Sequence, residues 1–164
     1  MTDAFRWTSP LGISVAIFLA IGSLWFLVGS LTLVLLNRTT GPKILFVSNS
    51  TDAAYFGDSP EHLLASDTAL FKLRTVLIRV IAGFLVLSGL LFLFVAWFAL
   101  RERQPWALIS LAASGLLAIS FWAVALLPYF RMRIPVTLGD LPPFMWIPAA
   151  LIVPATILGW LGLR

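Results

Sequence analysis

The sequence predicts an all-α fold, a transmembrane four-helix up-down bundle with one structured extramembrane loop between helices 1 and 2. Three observations lead there. Four apolar runs, 11–36, 76–100, 106–127 and 144–163, carry no Asp, Glu, Lys, Arg or His at their centres, and each reaches the roughly 20 residues that a helix needs to cross the hydrocarbon. Of 164 residues, 60% are hydrophobic and 11% charged, against about a quarter charged in soluble domains. Finally, Trp7, Trp97, Trp106 and Trp160 stand at ends of the runs that share one membrane face in an up-down bundle. Indole favours the headgroup level because its apolar ring and its N–H are both accommodated there. Tyr129 and Trp146 fit the opposite face; Trp25 and Trp122 sit deeper.

Taken in order, the first run is opened by Ser9 as cap and Pro10 in the first turn, where a proline lacks only an N–H that would be unpaired anyway. Its length exceeds a signal-peptide core of about 7–15 residues, so it reads as a retained span. The pairs Gly22-Ser23 and Gly29-Ser30 are the counter-signal, as possible cleavage sites. The span stops at Asn37-Arg38-Thr39-Thr40-Gly41-Pro42. Segment 37–75 follows. Lys43 to Val47 is apolar and β-prone, Asn49-Ser50-Thr51-Asp52 reads as a turn, and Ser59-Pro60-Glu61 opens a short helix to about Ala65. Ser66 or Asp67 then caps a helix that continues into the second span.

Only Arg101-Glu102-Arg103-Gln104-Pro105 separates the second and third runs, which predicts a tight antiparallel hairpin. The apolar run stops at Leu127, and the end of its helix is marked by Pro128-Tyr129-Phe130-Arg131-Met132-Arg133. After Asp140 and Leu141-Pro142-Pro143 comes the last run, with Pro148 and Pro154 inside it and a kink expected. Small residues form a seam in each span: Gly22/Gly29 and Ser23/Ser30, Ala82/Gly89/Ala96, Ser110/Ala113/Ser114/Ala118 and Ala155/Gly159. Lipid tails are as apolar as Leu, so close backbone approach is what holds such helices together. The whole of 1–164 is one integral membrane domain.

The net charge of +4 comes from basic residues flanking the spans, where they meet anionic headgroups. The partners expected are membrane lipid and a homo-oligomer or membrane protein partner, with no nucleic acid. Cysteine is absent, which removes disulfides, thiolate nucleophiles and cysteine-held metals. The single histidine, His62, adjoins Glu61 and points about 100° away from it on a helix, so no metal set is read. No phosphate loop, G-x-S-x-G elbow or H-E-x-x-H helix is found. No catalytic residue, cofactor or metal is assigned, and the lack of midspan charge argues against a self-contained pump.

Candidate chemistry is confined to the loop face. Lys72, Thr75 and Arg79 share a helix face that runs on through Ala82, Val86, Gly89 and Ala96, so Lys72 and Arg79 are expected to point toward the bundle, or toward whatever covers its mouth, more than toward lipid. Arg79, Arg74, Lys72, Arg131 and Arg133 are candidates for gripping an anion or lipid headgroup, since the guanidinium fork suits carboxylate and phosphate. Asp58, Glu61, Asp67 and Asp140 lie on the same face as candidate ion-pair partners. Two functions follow: a non-catalytic protein working by binding or assembly, and an interfacial binder or enzyme for a lipid or small amphipathic anion under the 43–79 loop.

Leu73-Arg74-Thr75-Val76-Leu77-Ile78-Arg79-Val80 and Gly139-Asp140-Leu141-Pro142-Pro143-Phe144-Met145-Trp146, with the Arg-Glu-Arg hairpin, resemble uncharacterised bacterial four-span membrane proteins. The layout is similar to the DoxX-like group of small four-helix membrane proteins. That resemblance implies a multi-pass protein of the bacterial inner (cytoplasmic) membrane and carries no catalytic residue across.

Orientation is read two ways. Arg38, Lys43, Lys72, Arg74, Arg79, Arg131 and Arg133 outnumber Arg6, Arg101, Arg103 and Arg164, which puts the long loop in the cytoplasm. A packed, translocated loop is the opposite reading, and Asn37-Arg38-Thr39 and Asn49-Ser50-Thr51 both match the glycosylation acceptor pattern. Reporter fusions at Met1 and Arg164 should land in the same compartment; opposite compartments would rule out an even number of spans.

Overall fold

The computed structural model describes residues 5–36 and 45–164. Its helices are α1 (Pro10–Leu36), α2 (Asn49–Phe56), α3 (Pro60–Ser66), α4 (Thr68–Phe94), α5 (Pro105–Arg131) and α6 (Pro143–Leu163). A wider π-helical turn, Val95–Leu100, continues α4. Four of these elements, with Val95–Leu100 counted as part of α4, are long and apolar enough to cross a membrane. The caps follow local chemistry. Ser9 Oγ accepts from Gly12 N at 3.1 Å, Ser59 Oγ from His62 N at 3.2 Å, and the Asp67 carboxylate from Ala69 N and Leu70 N at 2.8 and 3.1 Å. Each satisfies a first-turn N–H that has no partner within its helix.

α1 is the hub. Its face Leu11, Ser14, Val15, Phe18, Ile21 and Trp25 is buried at the i, i+3, i+4 spacing of a packed helix face. It meets α4 along one side and α6 along another. Against α4 the contact is backbone on backbone. A Cβ built on Gly89 would lie 2.5 Å from Phe26 N and 2.7 Å from Gly22 O, and one on Gly29 would lie 2.6 Å from Ala82 O. The seams of the first, second and fourth spans are thus packing faces, with Gly159 against Ser14 and Leu108.

The third span departs from expectation. α5 packs through Leu108, Leu111, Ala112 and Gly115, the last directly under Ile152 of α6. Ser110, Ala113 and Ser114 are exposed. The predicted tight hairpin is also corrected. α5 touches the Val95–Leu100 turn, then leans on α6 while α4 leans on α1, so α4 and α5 part beyond the hairpin. Each helix follows the partner whose small residues allow closer approach, and a five-residue connection ties them at one end only.

Two boundaries shift as well. Residues 49–52 are the first turn of α2, capped by Ser48, whose Oγ accepts from Thr51 N at 3.3 Å. α5 runs through Pro128 to Arg131, because a proline loses its N–H but keeps its carbonyl, which here accepts from Met132 N at 3.2 Å. It ends with Arg133 in the left-handed region (φ 58°), where Arg133 N donates to Phe130 O and Ile134 N to Tyr129 O. This is the Schellman arrangement with arginine where glycine is usual. Arg103 (φ 60°) repeats it at the hairpin.

α6 is helical through both of its prolines. Pro148 cannot donate to the carbonyl four residues back, Phe144 O, and the indole N–H of Trp25 does so instead at 3.0 Å. That accounts for a tryptophan away from the headgroup belt. At the other end Trp7 and Trp97 lie 6.2 Å apart, with the Arg101 guanidinium 4.7 Å over the Trp97 ring.

Replacing Gly89 with Leu should lower the stability of the detergent-purified protein by about 1–3 kcal/mol or more, since the colliding atoms are backbone. Gly83→Leu should be nearly neutral, because a Cβ there meets nothing within 4 Å. Paired thermal melts check this; equal midpoints would put the α1–α4 contact in error.

Candidate functional site

The loop face carries a roof built around one carboxylate. Asp52 is fully buried and accepts from the successive amides of Leu45, Phe46 and Val47 at 2.8–3.2 Å and from the Tyr129 hydroxyl at 2.9 Å. A buried carboxylate is tolerable when its lone pairs are taken up in this way. The bonds fold 45–47 back over α2 and pin it to the end of α5. Val47, Leu126 and Tyr129 form a small core beneath, with Phe46, Tyr55, Ile134, Val136 and Leu141 against it. The rings of Tyr55 and Tyr129 stack at 4.5 Å. The expected extended 43–47 piece is therefore a bent, folded-back segment over 45–47; Lys43 and the acceptor pattern at Asn37 lie outside the described residues.

Asp140 ties down the second edge of the roof. It accepts from Thr137 N at 2.8 Å, Thr137 Oγ1 at 2.7 Å and Ser48 Oγ at 2.9 Å, linking the α5–α6 connection to the cap of α2. The Thr137 amide and hydroxyl, then the Ser48 hydroxyl, hold its carboxyl down at about 2.

Beneath this roof lies a cavity of about 210 Å³. α1 contributes Val28 and Thr32, the roof Phe46 and Val47, α5 Trp122, and α6 Phe144. From α4 come Arg74, Ile78, Ile81 and Leu85. Arg74 is 6% exposed and is the charged residue of a lining that is otherwise apolar except for Thr32. At 100° per residue, Arg74 and Arg79 fall about 80° and about 60° to opposite sides of Ala82. The cavity is on the Arg74 side, and Arg79 is exposed. Among the described residues Arg79 therefore lies off the cavity, on the other flank of the seam from Arg74. The seam direction runs between the two arginines, and α1 occupies it.

Where α4 and α5 part, the space continues. A second cavity of about 540 Å³ shares Ile81, Leu85 and Trp122 with the first, and a third of about 230 Å³ shares Ser88, Phe92 and Ser114 with the second. The result is a cleft along α4 from Arg74 to the middle of the apolar run, apolar save for Arg74 and Thr32 at one end and Ser88, Ser110 and Ser114 at the other.

The remaining candidates from the sequence do not converge on this cleft. Lys72, Arg131 and Arg133 are exposed. Asp58 accepts from Ser59 N and pairs with His62 Nδ1, which hold its carboxyl below the usual carboxylate range, His62 first. Asp67 caps α4, and Glu61 is exposed in the first turn of α3. Asp52 escaped the sequence reading because an acid in a Ser-Thr-Asp stretch looks like a surface turn. The one signal was the apolar 45–47 segment, whose amides need acceptors if it packs against the bundle. Among the described residues, no three His, Asp or Glu side chains are placed to hold a metal ion. Comparison with known protein families, curated proteins and solved structures finds no match. The resemblance to the DoxX-like group thus finds no support, and four long apolar helices are what stands.

The depressed Asp140 carboxyl fixes the sign of a pH effect. Stability from its three bonds is present above 3.8 and is lost as pH falls through about 2. Hydrogen exchange at the start of α2 should therefore quicken in that window. Asp140→Asn should raise the exchange at neutral pH and flatten its pH dependence.

Proposed function

We propose that this chain is a non-catalytic binding protein, a multi-pass protein of a bacterial cytoplasmic membrane, that takes up a single-chain amphipathic anion from the bilayer. The observation that carries the reading is Arg74: a nearly buried guanidinium lining an apolar cavity that continues into a membrane-level cleft. A carboxylate or phosphate head fits the guanidinium, whose planar fork bonds either oxyanion. The low-dielectric walls strengthen that attraction relative to water. The tail fits the cleft between α4 and α5, which it enters sideways from the lipid. Phe46 and Val47 close the head off from the aqueous side. The interfacial-binder alternative of the sequence reading is thereby preferred over assembly, and of its anion candidates Arg74 takes the place given first to Arg79.

The test uses radiolabelled stearate on detergent-purified protein. The parent should retain it, and Arg74→Gln should weaken retention about 10- to 100-fold, the range of a charge-assisted hydrogen bond. Arg74→Lys should recover part of the loss, and Arg79→Gln should behave like the parent. Retention that ignores Arg74→Gln, in a variant that melts like the parent, would overturn the reading.

A further inference from the structure

The far end of the cleft carries chemistry that a plain hydrocarbon tail would not use. Ser88 sits midway along the apolar run 76–100, at bilayer-midplane depth. Ser114 lines the same two cavities as Ser88, and Ser110 lines one of them. A hydroxyl in a membrane helix ordinarily bonds the carbonyl four residues back, and others in this chain do so: Ser120 to Leu116 O at 2.9 Å and Thr156 to Ile152 O at 2.7 Å. Ser14, facing α6, donates to Ala155 O at 2.7 Å. Among the described residues, Ser88, Ser110 and Ser114 make no such bond, nor do Ser23, Ser30 and Thr32 of α1; what sets the first three apart is that they line one space. Three hydroxyls from two helices thus face one space in hydrocarbon surroundings, where an unmet polar group is costly.

Resting on the proposed anion-binding reading, we infer that the Ser88–Ser110–Ser114 end of the cleft binds an oxygen function carried part-way along the ligand's chain. The ligand class is a long-chain carboxylate with a mid-chain hydroxyl or keto oxygen. Serine both donates and accepts, so either oxygen is met. The spacing sets the position. Arg74 to Ser88 is a rise of about 21 Å at 1.5 Å per residue. An extended chain with C–C bonds of about 1.5 Å advances about 1.25 Å per carbon, so this is roughly 16 carbons, or 10–16 once the arginine's own reach is allowed for. Charge complementarity at Arg74 fixes the head and the serines fix the oxygen, so the ligand is oriented from both ends of the cleft.

The experiment compares three acids on the detergent-purified chain: stearate, hydroxystearate with its oxygen at about carbon 12, and α-hydroxystearate with the oxygen beside the carboxylate. In the parent the mid-chain hydroxy acid should bind about five-fold more tightly than the other two, as one net hydrogen bond allows. Ser88→Ala and Ser114→Ala should erase that preference, and thermal melts matching the parent would show that the variants fold. Equal binding of the three acids, all still sensitive to Arg74→Gln, would overturn this inference and leave the anion-binding reading standing. A preference that survives both serine replacements would overturn it too. Binding of none of the acids, by a protein that native mass spectrometry weighs as a dimer, would mean that a second copy fills the cleft, and would sink both.

Discussion

Where α1 crosses α4, Gly22 and Gly29 face Gly89 and Ala82 so closely that one added carbon at Gly29 or Gly89 would strike backbone. In a bilayer no water is released when two apolar helices meet, so contact of this kind, summed over many atoms, is the attraction that remains. α4 is therefore committed to α1 along its seam. α6 takes the adjoining side of α1, with Gly159 against Ser14 and Leu108. That leaves α5 to pack on α6 through Gly115 and Ile152. The gap between α4 and α5 is a consequence of these pairings.

Polar groups then decide where the structure is rigid. Trp25 supplies the donor that Pro148 denies to Phe144 O, fixing the start of α6 beside the mouth of the cavity. Asp52 gathers three amides and the Tyr129 hydroxyl, so the roof belongs mechanically to α5. Asp140 fastens the same roof to the α5–α6 connection through Ser48. Roof, α5 and α6 are cross-linked by hydrogen bonds, whereas α4 presents Arg74 to them across the cavity. A cleft with one wall held by backbone contact and the other by polar staples can keep its shape while its lateral face stays open to lipid.

Two arginines illustrate how little separates a site from a surface. Arg74 and Arg79 stand on the same helix at the same membrane edge, to either side of one seam. Which is buried depends on whether α1 or the cavity occupies a given flank of α4. Arg133 and Arg103 show a different use: both close helices from the left-handed region, so their backbone conformation serves the fold while their side chains remain exposed.

Span number, the limits of the first and last spans, the caps at Ser9 and Ser59 and the seams of the first, second and fourth spans were legible in the sequence, while the cap of α4 was narrowed to Ser66 or Asp67. Each depends on hydropathy over a window or on chemistry within four residues. Tertiary structure alone decided the rest. The seam of α5 was misjudged because small residues mark close approach and a lined cleft alike, and only the neighbour's position tells them apart. Asp52 and Tyr129 are 77 residues apart in the chain, and no local pattern announces such a bond. The choice between Arg74 and Arg79 rested on a partner's location about a helix axis. Local chemistry sets which elements form; which faces meet is set by competition among all the pairings the chain can reach.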